Sequence, residues 1–214
     1  MSRMMEISTE AVVADGGGRV PAAPGRAGLT DSQPVPYPEP ASASMLGVDV
    51  GGVLTSRAAD DQDTSFFGSQ PMLTPAVAGA FDALTALTAG PFAGRVHVVS
   101  KCGPKIAALT RAWLAHHEFF ERTGIPPANL HFVRRRPEKA PVCARLGITH
   151  FVDDRLDVLV HMTTVPHRYL FLGDAREEAG TRPVPSWAIP AGSWADLAVL
   201  LAGGLEGSGR AETR

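Results

Sequence analysis

Short apolar runs of strand length alternate along this chain with longer stretches of helical period. The first run, Met45-Leu46-Gly47-Val48, closes in Asp49-Val50-Gly51-Gly52 and leads into Val53, Leu54 and Thr55. An apolar run that short, ended by Gly-Gly, predicts a buried strand and a tight turn. Val96–Ser100, Leu130–Val133, His150–Val152 and Arg168–Leu172 predict four more strands. Thr74 reads as an N-cap with Pro75 in the first helical position, and Val77, Phe81, Leu84 and Leu87 share one face before Gly90-Pro91. A second helix is predicted from Gly103-Pro104 to about Phe120, with Ile106, Leu109, Trp113 and Leu114 as its apolar stripe. Shorter helices are predicted over Pro137–Leu146, over residues 155–164 and over Trp194–Leu201. Alternating strands and helices imply an α/β fold: a Rossmann-like, mostly parallel five-stranded sheet with helices on both faces.

The pattern also sets limits. Residues 1–44 hold Gly16-Gly17-Gly18 and six prolines from Pro21 to Pro40, so they are expected to form a disordered or loosely packed tail. The folded domain is expected over 45–202, with a second tail over 203–214. Residues 57–72 are polar and aperiodic, a loop long enough to suggest a functional role, which Phe66 and Phe67 could pin to the body.

A formal net charge of −2 gives no field suited to nucleic acid or membrane. No run approaches the ~18 apolar residues of a membrane span, and the N-terminus shows no apolar core of signal-peptide length. Cys102 and Cys143 lack CxxC spacing, and two lone thiols fit a reducing, cytoplasmic setting.

Four element ends carry reactive groups: Asp49, Ser100, Lys139 and the pair Asp153-Asp154. Parallel strands align their carboxyl ends along one edge, so these groups can converge on one crevice. Carboxylates from two strands suit Mg²⁺, and a lysine and a hydroxyl beside them complement phosphate.

The motifs VDVGGVLT (48–55), VHVVS (96–100), RPEKAPVCARLGI (136–148) and HFVDDRLD (150–157) resemble those of the haloacid dehalogenase (HAD)-like hydrolase superfamily over roughly residues 45–173. The VDDR-x-D form looks like that of its small nucleotidases and polynucleotide phosphatases. The resemblance implies a Rossmann-like HAD core and a Mg²⁺-dependent phosphatase acting on a phosphate monoester. In it Asp49 is the nucleophile that forms an aspartyl-phosphate. Asp49, the backbone carbonyl of Gly51, and Asp154 or Asp153 hold the metal, while Ser100 and Lys139 bind the phosphoryl oxygens. Most phosphatases of the family carry a second acid two residues after the nucleophile, where this chain has Gly51. That acid typically contributes ~10²–10⁴-fold in rate. The alternative is a catalytically degenerate HAD-like protein that binds a phosphorylated ligand or protein partner.

The space from Thr55 to Val96 and from Lys139 to Asp153 holds no cap domain, so an open crevice is expected. The expected partner is a phosphorylated small molecule or macromolecule, with no nucleic acid beyond a nucleotide substrate and no membrane. The oligomeric state stays open. Other candidates read more plainly. His116-His117-Glu118 lacks metal-ligand spacing on a helix and reads as a solvated helix end. Asp60, Asp61 and Asp63 read as loop charges, and Arg134-Arg135-Arg136 as a solvated patch or a phosphate contact. Asp157 reads as either a metal-shell group or a helix cap. Trp187 and Trp194 read as packing anchors.

Overall fold

The computed structural model describes residues 43–56, 67, 70–173 and 183–206, with side chains to 203. The expected tail over 1–44 lies almost wholly outside these residues, as do Asp60, Asp61, Asp63 and Phe66.

Six strands form one all-parallel sheet: β1 (Leu46–Val48), β2 (Val96–Lys101), β3 (Leu130–Val133), β4 (His150–Asp153), β5 (His167–Phe171) and β6 (Ile189–Ala191), in the order β3-β2-β1-β4-β5-β6. β1 is central: Leu46 pairs with Val96 on one side and with His150 on the other. The sixth strand corrects the five-stranded expectation. β6 is only three residues long and contains Pro190, which an edge strand tolerates but an alternating pattern cannot reveal.

The helices are α1 (Ala80–Ala89), α2 (Pro104–His116), α3 (Phe119–Thr123), α4 (Lys139–Leu146), α5 (Leu156–Leu159) and α6 (Trp194–Glu206). α1, α2, α3 and α6 cover one sheet face, where Phe81, Leu84, Trp113, Leu114, Phe119 and Trp194 pack on Leu46, Val48, Val98 and Val152. α4 and α5 cover the other, burying Val99, Cys143, Phe151, Val158 and Leu170. This two-sided burial explains why the strands read as continuous apolar runs.

Several boundaries differ from the sequence pattern; the helix expected over 155–164 is limited to α5, Leu156–Leu159, and the one expected over Pro137–Leu146 starts at Lys139. The first helix starts at Ala80, because residues 75–77 pair with the turn after β1 instead. Ser56 N–H donates to the Pro75 carbonyl (3.0 Å) and Val77 N–H to the Leu54 carbonyl (2.9 Å). Gly79, at φ 75°, then turns the chain into the helix. The second helix breaks at Glu118, whose φ of 54° is left-handed, so α3 is separate. α6 runs on to Glu206.

Candidate active site

The turn after β1 winds around a single carbonyl. The oxygen of Val50 accepts from the N–H groups of Val53 (3.3 Å), Leu54 (2.8 Å) and Thr55 (3.0 Å), while Gly52 N–H donates to the Thr55 carbonyl (2.9 Å). Gly52 has φ 74°, the angle such a tight reversal requires, whereas Gly51 is not left-handed. The Trp194 indole N–H donates to the Val53 carbonyl at 2.8 Å, so the last helix clamps the turn from below. Trp113 makes a matching 2.8 Å bond to the Thr74 carbonyl, and Phe67 packs against its ring. One indole thus fixes the turn after Asp49, and the other fixes Thr74, beside the segment that pairs with that turn.

Asp49, Lys139 and Asp153 meet at the carboxyl ends of the two central strands. The Lys139 ammonium lies 2.8 Å from Asp49 Oδ1 and 2.7 Å from Asp153 Oδ2, with only 2% of its side chain exposed. The contact to Asp153 is a hydrogen bond; that to Asp49 is an ion pair without hydrogen-bond alignment, which leaves Asp49 Oδ1 buried with no hydrogen-bond donor. Asp153 Oδ1 also accepts from the Arg155 N–H at 3.0 Å. Burial alone would lower the Lys139 pKa, but the charges of Asp49 and Asp153 outweigh it and raise it above its ordinary value. Asp153 behaves in the opposite way. Burial, joined by the charges of Asp49 and Asp154, exceeds the pull of Lys139 and pushes its carboxyl up to about 8.

Asp154 completes the set. One carboxylate oxygen each from Asp49, Asp153 and Asp154 lie within 4.8 Å of one another. Hard oxygen donors at this spacing fit a divalent cation such as Mg²⁺. Ser100 lies on the adjacent strand, two residues beyond the Val48–Val98 pair, and is 4% exposed. Gly51 is buried in the turn, so the position two residues after Asp49 offers only backbone.

Sequence reasoning missed Phe151, whose ring lies 5.6 Å from the Lys139 ammonium and forms a floor beneath it. That ring fits because β1 carries Gly47: a Cβ there would fall 2.5 Å from Phe151 Cδ2 and 2.9 Å from Ile148 Cδ1. A glycine inside an apolar strand was the available signal. Cys102 also borders the crevice. Burial, and then the charge of Asp49, raise its thiol pKa against the opposing effect of Lys101, Lys139 and Arg111, so it is a poor nucleophile. Cys143, packed under α4, is pushed up to about 12, chiefly by burial. Asp157 stands apart from the acidic set: it pairs with Arg155 at 2.9 Å and Arg136 at 3.5 Å. His117 packs against Trp113 with tilted rings, 4.4 Å between centroids.

No protein-family model matches this chain, and no curated protein does. Among solved structures, a protein described as a haloacid dehalogenase-like hydrolase from Burkholderia xenovorans LB400 is similar at 17% identity and TM-score 0.42, over 59% of this chain. The match spans 58% of that structure. A protein described as a 3-deoxy-D-manno-octulosonate 8-phosphate phosphatase from Vibrio cholerae is similar at 13% identity and TM-score 0.44, over 75% of this chain and 85% of the other.

Proposed function

We propose that this protein is a Mg²⁺-dependent phosphohydrolase of HAD type that cleaves a phosphate monoester through an aspartyl-phosphate on Asp49. The observation that carries this reading is the buried Lys139 ammonium between Asp49 and Asp153, with Asp154 beside them, at the carboxyl ends of the two central strands. In the first step a carboxylate oxygen of Asp49 bonds to phosphorus as the ester P–O bond breaks. The leaving oxygen takes its proton from water, because Gly51 has no side chain to give one. In the second step water attacks the same phosphorus, the Asp49–phosphorus bond breaks, and inorganic phosphate leaves. Lys139 faces the phosphoryl oxygens, and Ser100 donates its hydroxyl to one of them. Asp49, Asp153, Asp154 and the Gly51 carbonyl would hold Mg²⁺, which would supply charge neutralisation at the phosphoryl group.

Gly51 favours a second reading, in which the crevice binds a phosphorylated ligand or partner without turnover. A panel of p-nitrophenyl phosphate, acyl phosphates and sugar phosphates, with and without Mg²⁺, separates the two. Asp49→Asn abolishes turnover while the fold survives, and Asp154→Asn weakens Mg²⁺ binding in calorimetry. Wild-type turnover in Asp49→Asn sinks the proposed chemistry; tight phosphate-ester binding without turnover in the wild type establishes the second reading.

A further inference from the structure

Cations are unevenly distributed around this crevice. On the β4 side, Arg136 and Arg155 share the carboxylate of Asp157, at 3.5 Å and 2.9 Å. Arg135 is held by Glu138 at 2.7 Å, and that carboxylate also accepts from the Arg134 and Arg135 N–H groups. On the β2–β3 side the guanidinium of Arg134 and the ammonium groups of Lys101 and Lys105 are exposed and have no carboxylate partner among the described residues. Arg111 lies over the Phe132 ring, at 5.0 Å.

These groups belong to one end of the crevice. Lys101 closes β2 and pairs in register with Val133, the residue before Arg134. Arg111 lies over Phe132, which pairs with Ser100, and Cys102, the residue after Lys101, feels the charges of Asp49, Lys139, Lys101 and Arg111 together. Strands lie about 4.8 Å apart, which sets the ends of β2 and β3 about 5 and 10 Å from that of β1. Lys139 is taken up by Asp49 and Asp153. The cations of the β2–β3 end are left over, although the chain as a whole has a formal charge of −2.

We infer that the substrate carries a second phosphate, bound across the β2–β3 end of the crevice by Lys101 and Arg134, with Lys105 and Arg111 beside them. The inference rests on the phosphohydrolase reading for the position of the first phosphate. The spacing is that of two phosphates on one small sugar or nucleoside.

The test compares pairs of compounds that differ by one phosphate: fructose 6-phosphate with fructose 1,6-bisphosphate, and adenosine 5′-monophosphate with adenosine 3′,5′-bisphosphate. Each is measured as a competitive inhibitor of p-nitrophenyl phosphate hydrolysis by the wild type, and by calorimetry on Asp49→Asn in Mg²⁺. In at least one pair the bisphosphate binds about ten-fold or more tightly than its partner, the step that one charge-assisted hydrogen bond supplies. Lys101→Gln with Arg134→Gln removes that preference, Arg122→Gln on the distant α3 retains it, and added salt shrinks it. Equal affinity within both pairs, or a preference that survives the double variant, overturns the inference. If p-nitrophenyl phosphate is not hydrolysed, the catalytic reading fails on its own, and the calorimetric preference still decides whether the second phosphate has a site.

Discussion

Removing the Lys139 charge tests the electrostatic core of the site most directly. Lys139→Met keeps the length and the apolar stem but leaves Asp49, Asp153 and Asp154 facing one another, with oxygens within 4.8 Å. At an effective dielectric of 20, two unit charges at that spacing repel by about 3.5 kcal/mol. Removing one partner of a buried ion pair typically costs about 3–5 kcal/mol, in agreement. That is a large share of the ~5–15 kcal/mol a domain has. The penalty grows as the acids ionise, so it is measured toward high pH, where the Asp153 carboxyl, raised by burial and raised further once Lys139 is gone, begins to lose its proton. The sign follows from linkage. A carboxyl whose folded pKa lies above its unfolded value of 3.8 favours folding at low pH and loses that contribution as pH rises through about 8. The destabilisation of Lys139→Met therefore shrinks as pH falls. Millimolar Mg²⁺ restores most of it, because the cation replaces the missing positive charge. Urea unfolding, with and without Mg²⁺ at each pH, gives these differences. A metal-free midpoint at high pH equal to that of the wild type would refute the reasoning, since the three carboxylates would then not be in electrostatic contact.

Three further outcomes are expected. In a leaving-group series, acyl phosphates and p-nitrophenyl phosphate turn over clearly and sugar phosphates weakly. Gly51→Asp, allowed because Gly51 is not left-handed, narrows the gap by at most ~10²–10⁴-fold; a rate independent of leaving-group pKa sinks the idea of a missing acid. Gly47→Ala forces a Cβ to within 2.5 Å of Phe151 and destabilises the protein by about 1–3 kcal/mol, seen as a lower urea midpoint; an unchanged midpoint means the ring has room to yield. His150 stacks on His167 at 4.4 Å, and burial, then the His167 charge, lower its pKa to about 4. Its neutral form favours folding above the unfolded value of 6.5, and stability drops as pH falls toward about 4. After discounting for solvent the loss is ~1–2 kcal/mol. His150→Phe flattens this acid slope, and an unaltered slope shows that another group is responsible.

The parts of the site that read from sequence are those ending an apolar run. Asp49 and Asp153-Asp154 each follow a strand buried on both faces, so the pattern alone placed them on one sheet edge. Lys139 had no such marker. A lysine opening a helix is ordinary, and it was singled out only by its company with the other reactive element ends and by the resemblance of RPEKAPVCARLGI to a known motif. Contacts between distant segments stayed hidden. The pairing of residues 75–77 with 54–56 overrode the capping signal at Thr74, and the ring of Phe151 filled the space left by Gly47. β6 was too short, and its Pro190 too unlike a strand residue, to be read.

The central place of β1 has a consequence for how the molecule is made. Its neighbours are β2 and β4, and the pairing of Leu46 with His150 spans most of the domain's length. Such pairings come at a high loop-closure cost and tend to slow folding. Asp49 rides on β1 and Asp153 on β4, so no partly folded chain with β1 outside the sheet can assemble the acidic cluster. A chain emerging from synthesis passes through most of its life without the site, and acquires it only once β1 is enclosed. A ligand drawing on both aspartates then acts as a seal on the finished sheet. It should slow unfolding rather than hasten collapse, because what it binds does not exist earlier.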